Sequence, residues 1–104
     1  MAYADFEYLT VQRAKQRGII PNATPDAQLT SMVNQLGALV HASNEKDRSG
    51  VREGVGDLMS TLIIFCAMSG INLTSCLAES FDSGKHDTSV LLPSGARTNE
   101  EQEN

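Results

Sequence analysis

The chain has 104 residues, a net charge of −5 and a pI near 4.8. That is the length of one domain, and its charge argues against a general affinity for nucleic acid or for an anionic membrane surface. Apolar residues make up 40%, yet there is no Trp and only two Tyr and three Phe. Any core must therefore be aliphatic, and one layer of helices buries such a set poorly unless a second copy helps.

Tyr3 to Arg17 carries Phe6, Leu9, Val11 and Ala14 at mostly helical spacing, and Gly18 is a natural stop. After Ile19-Ile20-Pro21, Thr24 followed by Pro25 makes an N-cap and first-turn pair, with Asp26 in the turn favoured for an acid. A second helix is expected from Pro25 to about Ser43, its apolar face formed by Leu29, Met32, Val33, Leu36, Leu39 and Val40. Gly37 in mid-helix costs about 1 kcal/mol relative to Ala, which suggests a close approach to the backbone there. Asn44 to Gly50 reads as a solvated turn.

A third helix is expected over Val51 to Ser69. It starts charged, becomes almost wholly apolar after Asp57 and ends at Gly70. Asn72 then caps a fourth helix, Leu73 to about Asp82, with Leu73, Cys76, Leu77 and Ser80 or Phe81 inward. Cys66 and Cys76 both fall at helix-interior positions and read as buried thiols. From Ser83 the composition turns to Gly, Ser, Thr, Asn and Glu, with one apolar island at Val90-Leu91-Leu92-Pro93. The expected organisation is an all-α four-helix domain over residues 1–84 and a flexible polar, acidic tail over 85–104. No signal-peptide pattern and no apolar run of about 18 residues is present, so a cytoplasmic protein is expected, with no membrane partner.

Two of the helices carry a small-residue break flanked by polar groups: Gln35-Leu36-Gly37-Ala38 and Glu53-Gly54-Val55-Gly56-Asp57. Spacings of three or four place such groups on one helix face. Antiparallel packing over a short connection would set the two faces opposite each other, the arrangement that makes an oxygen cage for Mg²⁺ in carboxylate-lined bundles. Asp57 and Glu53 also read as helix-start acids, His41 as a cation near a helix C-terminus, and Lys85 as a solvated lysine.

The order of these segments, with "E-G-V-G-D-hydrophobic" about a dozen residues after the first and "G-I-N-L" after the second, resembles the MazG-like nucleoside triphosphate pyrophosphohydrolases. The likeness runs over roughly Gln28 to Lys85, in the short form carried by bacteriophages. The resemblance implies an all-α fold, usually dimeric or tetrameric. It also implies Mg²⁺ bound by an E-x-x-E pair on one helix and an E-x-x-D pair on the next. The metal holds the phosphates of a (d)NTP while water releases pyrophosphate.

Carried over residue by residue, the first pair falls on Gln35 and Ala38. The second falls on Gly54, with Glu53 one position away, and on Asp57. An acidic position after the first pair falls on His41. A Lys-x-x-Arg-like phosphate segment keeps Lys85, but the basic position after it reads His86-Asp87. Glu53 and Asp57 are then the metal candidates, with Gln35 a residual catalytic candidate and Lys85, Asn34 and His41 candidates for substrate. The expectation is a catalytically impaired homodimer that binds a host protein or a nucleotide. The alternative is a divergent Mg²⁺-dependent hydrolase yielding the NMP.

Overall fold

A computed structural model describes residues 1–85 and Pro93. Apart from Lys85 and Pro93, the expected tail lies outside the described residues, and with it His86-Asp87, most of the apolar island and the Glu100–Glu103 end. All regular structure among the described residues is helical. The chain divides into two compact units, Met1–Ile71 and a second that begins at Asn72.

The first unit holds four helices. Helix α1 spans Tyr3–Gln16. The Asp5 carboxylate accepts from the Ala2 N–H at 3.0 Å in its first turn, and the Tyr3 O–H donates to Glu7 at 2.8 Å. Partial burial, then that hydrogen bond and the charge of Glu7, push the Tyr3 phenol up to about 12. Gly18, at φ 77°, ends the helix in the left-handed conformation that costs glycine nothing. Helix α2 is one turn, Ile19–Asn22, interrupted at Ile20. Ile20 is extended because the ring of Pro21 excludes the helical conformation from the residue before it.

Helix α3, Pro25–Asn44, starts as its sequence dictates: the Thr24 hydroxyl accepts from the Ala27 N–H at 3.1 Å. Its other end is closed by two bonds, Asp47 N–H to Ala42 C=O at 2.9 Å and Lys46 N–H to Ser43 C=O at 3.1 Å. This is the Schellman arrangement, with Lys46 left-handed at φ 56° in the position glycine usually fills. Helix α4, Arg48–Met68, ends in the same way, and there Gly70 occupies that position at φ 68°.

The connection between α3 and α4 is therefore three residues, Glu45 to Asp47. Helix α4 begins at Arg48 rather than Val51, because the Asp47 carboxylate caps it by accepting from the Gly50 N–H at 3.0 Å. A Cβ at Gly50 would collide with that carboxylate, which is why the cap and the glycine occur together.

Helices α3 and α4 form an antiparallel hairpin, α1 packs along α4 and α2 against α1. The register of the hairpin is set by three contacts: Ala42 beside Gly50, Leu39 against Gly54, and a 2.9 Å hydrogen bond from Gln35 Nε2 to the Thr61 hydroxyl. Close approach occurs at Gly54, where a Cβ would lie 3.2 Å from Leu39 Cδ1; Gly37, where it was expected, faces open space. Among the described residues the buried set is small, namely Ala14, Ala42, Thr61, Ile63, Ile64 and Cys66, and most of it lies on the second half of α4.

In the second unit, the Asn72 side chain accepts from the Ser75 N–H at 2.9 Å and caps helix α5, Leu73–Ser80. A π-helical turn, Phe81–Lys85, follows. Cys66 is buried as expected, but Cys76 is exposed, as are Leu77 and Phe81. The helical spacing of Cys76 and Leu77 is that of an inner face, yet in this unit those positions are uncovered. No single helix among the described residues is long and apolar enough to cross a membrane.

Candidate functional site

The short connection brings the last turns of α3 against the first turns of α4 and leaves an open cleft of about 390 Å³ beside it. Three of the expected site residues line it together: His41 from α3, and Glu53 and Asp57 from α4. Ala38, Ala42, Gly50 and Gly54 form its small-residue wall. Glu45 and Asp47 add two further carboxylates. Sequence reasoning placed these two in a solvated turn. Thr24, Asp47 and Asn72 are all capping residue types, but the run Asp47-Arg48-Ser49-Gly50 looks more like a turn than a helix start. Counting Asp47 as a cap would have brought both acids to the cleft.

The early start of α4 bears on Asp57. A helix-start acid acts on the dipole only within the first turn, and Asp57 is the tenth residue of α4. Glu53 is the sixth, also beyond that turn. Both side chains are exposed on the cleft, one turn apart on a single face. Charge complementarity to the helix end therefore does not account for either residue. His41 does lie in the last turn of α3, where a cation is favoured.

Among the described residues, the cleft is lined by four carboxylates and by no lysine or arginine. Its chemistry is that of hard oxygen donors, which suits a divalent cation rather than an anion. Among the described residues, no three His, Cys, Asp or Glu side chains are placed to hold one ion together. Glu53 and Asp57, one turn apart on α4, are the two carboxylates that could contact a hydrated divalent ion here.

Two of the remaining candidates belong to α3 and do not line the cleft. Gln35 is in the α3–α4 seam, its amide nitrogen bound to Thr61 and its Oε1 buried without a protein hydrogen-bond partner. Asn34 is exposed on α3, four residues before Ala38, and does not line the cleft. Lys85 closes the π-helical turn of the second unit.

Comparison with protein-family models, with curated proteins and with solved structures returns no match.

Proposed function

We propose that this chain is a MazG-like helical protein whose cleft binds without efficient turnover, acting on a host protein or holding a nucleotide. The observation that carries this reading is what the cleft receives at the positions where the resemblance expects carboxylates. Ala38 lines it with a methyl group, and Gln35 directs its amide to Thr61 in the seam. Of the four expected positions only Asp57 keeps its acid; Glu53, one position from the third, adds a second carboxylate, enough to anchor one hydrated ion. Removing one group that stabilises transition-state charge costs about 3 kcal/mol, or two orders of magnitude in rate. A chain that forms this hairpin without three of the four expected acids at their positions is suited to binding.

The second reading is a divergent pyrophosphohydrolase. Its support is the convergence of Glu53, Asp57 and His41 on one cleft. When bound, Mg²⁺ would neutralise the phosphates and activate water. Glu53 and Asp57 would hold it, His41 would face the phosphate side from α3, and water would cleave the α–β bond of the nucleotide to give NMP and pyrophosphate.

One experiment separates the two. Mg²⁺ and Mn²⁺ are titrated calorimetrically with and without a non-hydrolysable dNTP analogue, beside an assay of pyrophosphate release. Binding at micromolar level without release supports the first reading. Release that Asp57→Ala abolishes establishes the second. Absence of both moves the search to protein partners captured from host extract.

A further inference from the structure

We draw no further inference here: the strongest candidate, the surface patch of exposed apolar side chains on the α3–α4 hairpin (Leu29, Val33, Leu36 and Val40 of α3, Val55 and Met59 of α4), carries nothing because nothing in the structure shows what covers it.

Discussion

Four carboxylates surround an open cleft on one side of the α3–α4 hairpin, and six apolar side chains are exposed on the other. The same two helices supply both sides, and their residues interleave: Val40 is next to His41, and Val55 lies between Glu53 and Asp57. What separates them is rotation about the helix axis, since one residue is 100° and three residues nearly complete a turn. Neither face exists without a third feature, the seam of Gln35, Leu39, Ala42, Gly50, Gly54 and Thr61 that fixes how each helix is turned. A hairpin that rolled by one residue would mix the acids with the aliphatics. The seam is therefore the place to disturb both faces at once.

The largest effect is expected from Gly54→Val. A Cβ there already lies 3.2 to 3.3 Å from Leu39, and two further methyl groups force the helices apart. The expected loss is about 2 kcal/mol of stability, a fall of about 10 °C in Tm by circular dichroism. An unchanged Tm would mean that the hairpin is not packed at this contact.

Next comes the buried polar pair. Thr61→Val leaves both ends of the Gln35 amide unpaired in the seam, and the expected cost in chemical denaturation is about 1–2 kcal/mol. Adding Gln35→Leu removes the orphan, including the Oε1 that has no protein hydrogen-bond partner, and should recover most of that loss. The pair forms a double-mutant cycle. If the double variant is as unstable as Thr61→Val alone, the hydrogen bond is not what holds the register.

Much of this architecture was legible in the residues, and the parts that were not have physical causes. Thr24-Pro25, Gly18, Gly70 and Asn72 mark helix ends because each satisfies backbone groups or adopts a left-handed turn on its own. Local chemistry of that kind survives without knowledge of the fold. The start of α4 was misplaced because Lys46 takes the left-handed position without being glycine, shortening the connection from seven residues to three. The apolar period of α3 was also legible, but a period reports a stripe, not what covers it. Of the six aliphatic residues on that stripe, Met32 and Leu39 are partly covered while Leu29, Val33, Leu36 and Val40 are exposed. The seam contains a glutamine and an alanine that no hydrophobic pattern would select. Half of the cleft's acids were missed for the same reason as the helix start.

Gly37→Ala compares the single chain with its environment. The position faces open space beside the exposed stripe, so replacing glycine in mid-helix should stabilise the fold by about 1 kcal/mol, read as a rise in the denaturation midpoint. An unchanged or lower midpoint would mean that the space beside position 37 is not open.

The smallest effect is expected at the turn that presents the cleft. Lys46 and Gly70 close two helices with the same pair of hydrogen bonds, one with a side chain in the left-handed region and one without. A Cβ at such a position costs about 1 kcal/mol, and the greater freedom of glycine in the unfolded chain returns part of that. Lys46→Gly should therefore stabilise the protein by about 0.5 kcal/mol. It also removes a cation from the connection between Glu45 and Asp47, raising the negative potential at the cleft, so divalent-cation affinity measured by calorimetry should rise slightly at low salt. The two readouts separate the roles of this residue. A stability gain without tighter cation binding makes Lys46 a matter of backbone conformation alone. Tighter binding without a gain in stability makes it a charge that tempers the cleft.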